Sequence, residues 1–211
     1  MAQRPHIPWV LDRVIVFGLP IVVLTLLQRM GLLARLGSLM DQAPRSATVT
    51  LTALAVMTAP AVLVHELGHA VAARMLAGGD VRMRIGLRDT GLKLRLGGVT
   101  ATLDPVGALV GGSVRFEPGR ATIDDFILIV LAGPFASLLG ALVSLRLFAA
   151  DGPYYGTADT FLWAFALVNL FGLANLLPFR VRVTRRSPLQ GSDGRLVMDA
   201  LALKRTLRQR R

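Results

Sequence analysis

The sequence predicts a mainly α membrane protein: four transmembrane helices with a small cytoplasmic β-hairpin segment between the second and third helices. Three observations carry this. Of 211 residues, 53% are hydrophobic and only 18% charged, which is too apolar for a disordered chain. The apolar residues come in blocks. Ala47–Val64 (18 residues), Phe126–Leu145 (20) and Thr160–Phe179 (20) contain no Asp, Glu, Lys or Arg, and about 20 such residues make a helix that crosses the hydrocarbon core. Basic residues gather between and after the blocks, with seven in 78–125 and ten in 180–211. There is no Cys, so disulfides and thiol nucleophiles are excluded.

The first helix is expected over Val14–Leu33. A signal peptide is the competing reading, but no small-x-small cleavage site follows and Asp12 sits in the leading region. The second helix is expected over Val49–Leu76, broken or bent near Pro60. The third covers Asp125–Phe148. The fourth covers Thr160–Leu177 and is closed by Pro178.

Between the second and third helices the pattern changes. Val81, Met83, Ile85 and Leu87 alternate with Arg82 and Arg84, and Leu92–Leu96 repeats the alternation with Lys93 and Arg95. Period two argues for half-buried strands. The turn chemistry of Asp89-Thr90-Gly91, Gly97-Gly98 and Gly111-Gly112 predicts two or three hairpins over 81–116. Residues 194–207 read as a basic surface helix.

Three regions follow: 1–46 with the extra helix, a membrane core over 47–199 that includes the β-rich segment 81–116, and a basic tail over 200–211. The positive-inside rule puts the middle segment, the tail and, with four spans, both termini in the cytoplasm. The expected location is the cytoplasmic membrane of a bacterium, as a multi-pass protein. The net charge of +11 is then explained by topology and by anionic headgroups meeting the tail, and no nucleic acid is expected.

The chemistry concentrates in the second helix. Of three His and two Glu in the chain, two His and one Glu occupy His65-Glu66-Leu67-Gly68-His69. In a helix, residues i and i+4 share a face. His65 and His69 can therefore grip one metal ion, with Glu66 beside it as a base. Imidazole ligands and an open position for water point to Zn²⁺. Core histidines are the bland alternative, and three ionisable groups in five membrane residues make it a costly one. Catalytic zinc normally has a third protein ligand. Asp193, in Gly191-Ser192-Asp193-Gly194, is a candidate; on spacing alone a solvated turn or an N-cap is the better explanation at this point.

With these residues in view, the chain resembles the site-2 protease family of intramembrane zinc metalloproteases. His65–His69 is similar to that family's zinc motif. Ala132-Gly133-Pro134 resembles its small-residue motif, and Asn175-Leu176-Leu177-Pro178 followed by Asp193-Gly194 resembles its Asn-x-x-Pro…Asp-Gly motif. The resemblance spans 49–199. It implies His65, His69 and Asp193 as zinc ligands, Glu66 as catalytic base and Asn175 as a substrate-binding residue. The implied activity is an endopeptidase that cleaves transmembrane or membrane-proximal segments of membrane proteins with a zinc-activated water. Asp193 stands fifteen positions after Pro178, whereas many family members place it a few residues on. Ser192 occupies a position where Leu is commoner. The short loops leave no room for a PDZ-like domain. Gly133 and Pro134 read as packing residues, one for close helix approach and one for a kink.

Two other classes of function stay open on the residues alone. One is a non-catalytic zinc-binding membrane protein acting as a scaffold, against which the intact Glu66 argues. The other is a basic surface-binding module with helices as anchors. Substrate identity and oligomeric state are not encoded in any motif.

Overall fold

The computed structural model describes residues 29, 47–86, 91–104, 107–109, 111–148, 157–181 and 190–209. The first expected span, Val14–Leu33, lies outside them except for Arg29. Two compact units are present. One is Pro44–Val197; the other combines Met1–Ala43 with Met198–Arg211. The described part of the latter is Arg29 and the helical residues 198–209.

The larger unit opens with helix α1, Ala47–Leu76, which runs without interruption through Pro60. Of the break or bend expected there, the break is absent. Helix α2 covers Ile123–Phe148 and α3 covers Thr157–Gly172. The chain then tightens into a 3-10 turn, Leu173–Leu176, so the fourth predicted helix ends differently from its start. Among the described residues, three stretches are long and apolar enough to cross a membrane: Thr48–Leu76, Ile123–Leu147 and Ala158–Leu176. Only 17%, 33% and 28% of their apolar windows are buried inside the protein. Side chains such as Leu51, Phe135 and Phe171 point outward. In water that surface would be an aggregation hazard; in lipid it is the solvent-matched face. The chain is a membrane protein.

Close approach of α1 to α2 depends on Gly68. A Cβ there would collide with the Ala132 carbonyl and lie 2.7 Å from Ala136 Cβ. Small residues at such crossings let apolar helices pack closely when no hydrophobic driving force separates lipid from protein.

The β segment is one mixed sheet. Strands β1 (Val81–Ile85), β2 (Leu92–Leu96), β3 (Val99–Leu103) and β4 (Gly112–Phe116) lie in the order β2-β3-β1-β4. One hairpin forms as expected. Gly97 and Gly98, at φ of 56° and 86°, close the two-residue turn between β2 and β3, where both positions need the left-handed region. The hairpin expected between β1 and β2 does not form. Strand β3 inserts between them, parallel to β1, while β4 pairs antiparallel with the other side of β1. Burial gives the reason. Val81, Met83 and Ile85 are the most apolar buried set in the sheet and pack against Ala70 and Ala73 of α1. The strand that carries them takes a central place, and β2, exposed throughout, takes an edge.

Arg74 fixes the hairpin to the end of α1. Its Nε donates to the Gly97 carbonyl at 2.9 Å and its Nη1 to the Gly78 carbonyl at 2.6 Å. A cation on the last turn of a helix suits both the free carbonyls and the macrodipole.

After the 3-10 turn the chain forms a two-stranded ladder, β5 (Arg180–Val181) with β6 (Gln190–Gly191), and enters helix α4, Asp193–Gln209.

Candidate metal centre

His65 and His69 lie one turn apart on α1, both buried. Their Nε2 atoms are 3.2 Å apart. Asp193 joins them from the start of α4. Its Oδ2 is 3.1 Å from His65 Nε2 and its Oδ1 is 3.5 Å from His69 Nε2. These three residues can hold a metal ion. Zinc bonds of about 2.0–2.1 Å in a tetrahedron put neighbouring donors about 3.3–3.4 Å apart. The spacing of the three donors fits that requirement.

The outer nitrogens explain the orientation of the rings. His69 Nδ1 donates to the Ile129 carbonyl of α2 at 2.8 Å. A carbonyl only accepts, so the proton is on Nδ1 and Nε2 of the neutral ring presents a lone pair. His65 Nδ1 is 2.9 Å from Ser137 Oγ, also on α2 and fully buried. Supporting partners of this kind set the tautomer and aim of metal-binding imidazoles. Lone pairs facing a carboxylate and one another at this range repel unless a cation or a proton lies between them.

Burial alone would raise the pKa of Asp193. The adjoining His65 and His69 rings outweigh it and hold the carboxyl below its usual range.

The return of Asp193 to the site is a matter of chain closure. Ser192 N donates to the Phe179 carbonyl at 3.0 Å, and Phe179 N donates to Ser192 Oγ at 3.1 Å. The Ser192 hydroxyl also donates to the Leu177 carbonyl and accepts from Arg195 N at 3.3 Å. Ser192 is therefore the N-cap of α4. The fifteen-residue separation is pinched off at its base by β5 and β6, which brings Ser192, the residue before Asp193, beside Phe179. The N-cap explanation for Asp193 is displaced by one residue. Gly194 completes the approach, because a Cβ there would run into the Leu176 carbonyl.

Gly133 has a role that packing logic missed. A Cβ on it would overlap His69 Nε2, the very atom that faces the site. The close helix approach is carried by Gly68 against Ala132, while Gly133 clears the space for an imidazole. The spacing does contain this signal: Gly133 follows Ile129, the partner of His69, by one helical turn. Gly172, at the end of α3, closes the third side; a Cβ there would be 3.2 Å from Ser137 Oγ.

Glu66 is buried and points toward the sheet. A Cβ on Gly112, the first residue of β4, would be 2.5 Å from Glu66 Cγ. Asn175 lies on the 3-10 turn, half-buried, with no hydrogen-bond partner among the described residues.

Residues 52–152 match the model of peptidase family M50. This is the site-2 protease family. The match takes in the α1 motif, the whole sheet and α2, just under half of the chain, and it bears out the resemblance read from the motifs. Asn175 and Asp193 lie beyond it. M50 peptidases are metal-dependent. No curated protein and no solved structure matches the chain.

Proposed function

We propose that the protein is an intramembrane zinc endopeptidase that cleaves transmembrane or membrane-proximal segments of membrane proteins. The observation that carries this is the meeting of His65, His69 and Asp193 around one point, with Glu66, the residue after His65, buried on the same helix. A scaffold with a structural metal has no use for a buried carboxylate beside its ligands. M50 membership over 52–152 supports the same reading.

His65, His69 and Asp193 would hold the zinc. When bound, zinc supplies Lewis acidity that polarises an amide carbonyl and makes water more acidic. Glu66 accepts the proton of the attacking water on its carboxylate and returns it to the amine that leaves. Ser137 and Ile129 keep the two imidazoles in register while this happens. Asn175, whose amide has no partner among the described residues, holds the substrate backbone.

A substrate helix has its amides already paired and must unwind before attack. Strand β4 has one side free among the described strands and begins at Glu66. An unwound segment that pairs with β4 recovers the backbone hydrogen bonds it lost, which matters most where water is scarce. Both termini lie in the cytoplasm, and the basic tail meets anionic headgroups.

The test uses purified protein in vesicles with single-span substrates. Glu66→Gln keeps stoichiometric zinc and loses cleavage; His65→Ala loses both. Cleavage that persists in Glu66→Gln defeats the mechanism.

A further inference from the structure

The pairing register divides the sheet into two unlike faces. Val81, Met83, Ile85, Val99, Ala101, Leu103, Gly112, Val114 and Phe116 share the face that packs on α1. Within the paired registers the other face presents Arg82, Arg84, Lys93, Arg95 and Arg115 with only Thr and Ser between them; the carboxylates Asp80 and Glu117 stand just beyond the ends of β1 and β4. Arg82 and Arg115 are directly opposite each other on β1 and β4, and both are exposed. Neither has an ion-pair partner among the described residues. Like charges facing across a ladder destabilise it. Such a pair is relieved by an anion brought from outside.

The place where that anion would come from is set by the edge. The row Arg95–Thr100–Arg82–Arg115 crosses all four strands and ends at β4, whose outer side is unpaired among the described strands. A cavity of about 440 Å³ lies along that side, lined by Val114, Arg115, Phe116, Pro118, Thr122 and Phe126 among others. Arg115 is its one charged lining residue. The same strand starts against Glu66.

We propose that this edge and its cavity form a substrate subsite selecting an extended segment with an acidic residue opposite Arg115, three positions from the residue that lies opposite Gly112 beside Glu66. The inference rests on the endopeptidase reading and adds the substrate's chemistry to it. An added strand continues the alternation of β4. Its residues opposite Val114 and Phe116 are therefore apolar, and the one opposite Arg115 carries the charge. Anionic lipid is the rival source of negative charge. Continuity of the basic row with the strand that begins at Glu66 favours substrate.

The experiment uses full-length, zinc-loaded protein in phosphatidylcholine vesicles, with and without anionic lipid. The probes are single-span peptides with Asp or Lys three positions to either side of the scissile residue. The wild type is expected to cleave the Asp peptide about fivefold better in kcat/KM than the Lys peptide, and Arg115→Glu to reverse the order. Docking is read separately. The chain has no Cys, so Ser113→Cys in a Glu66→Gln background gives a single crosslinking site for a single-Cys peptide. Crosslink yield is expected to follow the same charge order. Rates and yields that ignore peptide charge overturn the subsite and leave the protease reading standing. Charge effects that follow the vesicle lipid instead of the peptide also overturn it, in favour of a lipid-binding face. Charge-ordered crosslinking without cleavage by the wild type upholds the subsite and defeats the protease reading.

Discussion

Gly133 and His69 fit together as a space and its occupant: the position a Gly133 side chain would take is filled by the Nε2 end of the imidazole. The ring is held there from its other side by the Ile129 carbonyl, 2.8 Å from Nδ1. It cannot retreat without breaking that bond. Gly133→Ala should therefore displace a ligand without disturbing much else. The expected outcome is a fall in zinc affinity of about tenfold or more, consistent with an overpacking cost of about 1–3 kcal/mol. Chelator competition measures it. Helical circular dichroism should be unchanged. If zinc affinity stays at the wild-type level, Gly133 serves helix packing alone.

Ser137 supports His65 from the side of the ring away from Asp193. Its Oγ is 2.9 Å from Nδ1 in a position with almost no exposure. Ser137→Ala leaves that nitrogen unpaired and frees the ring to turn. Losses of about 10–100-fold in metal affinity or activity follow such changes. Ser137→Thr, which keeps the hydroxyl, should recover part of the loss. Equal behaviour of the two variants would show that the contact contributes nothing.

Much of this site was legible in the chain. The two histidines and Glu66 are fixed by their spacing on one helix, and helical periodicity survives any packing. Strand Leu92–Leu96 and the Gly97-Gly98 turn were equally legible, since alternation and paired glycines are local signals. The order of strands was not. Whether β1 meets β2 or β3 is decided by which strand best covers Ala70 and Ala73, and that is a tertiary preference. The contact of Gly133 with His69 is hidden in the sequence for a related reason. A glycine in a membrane helix is most often explained by a neighbouring backbone, and only the rotamer of His69 reveals the other use. The roles of Ser137 and Ile129 carry no sequence signature at all, because a hydroxyl and a carbonyl become partners only after α1 and α2 have docked.

Asp193 bridges both imidazoles from the opposite end of the chain, 128 residues from His65. Asp193→Ala removes one of three protein donors and should lower zinc affinity by at least about 100-fold, beyond the range seen for outer partners. Zinc content after dialysis against a weak chelator is the measurement. Asp193→Asn keeps the shape and loses the charge, so it should fall between wild type and Ala. Wild-type zinc retention in Asp193→Ala would place the third ligand elsewhere.

The insert between Val181 and Gln190 should be dispensable for the metal. Val181 pairs with Gln190, and Arg180 with Gly191, across an antiparallel ladder. Below the ladder, Ser192 ties its backbone and hydroxyl to Phe179. The described contacts that deliver Asp193 to the histidines lie at or below the base of this ladder. Replacing the eight residues 182–189 by Asn-Gly gives a two-residue turn that antiparallel partners accept. Closing a shorter loop lowers the entropic cost by about 1 kcal/mol. Zinc affinity in the shortened protein should stay within about threefold of wild type, while Ser192→Ala, which removes the cap and the tie to Phe179, should lower it by about fivefold or more. Isothermal titration on both variants separates the two. If shortening strips the metal and Ser192→Ala does not, the basic insert positions Asp193, and closure at Phe179 and Ser192 is incidental.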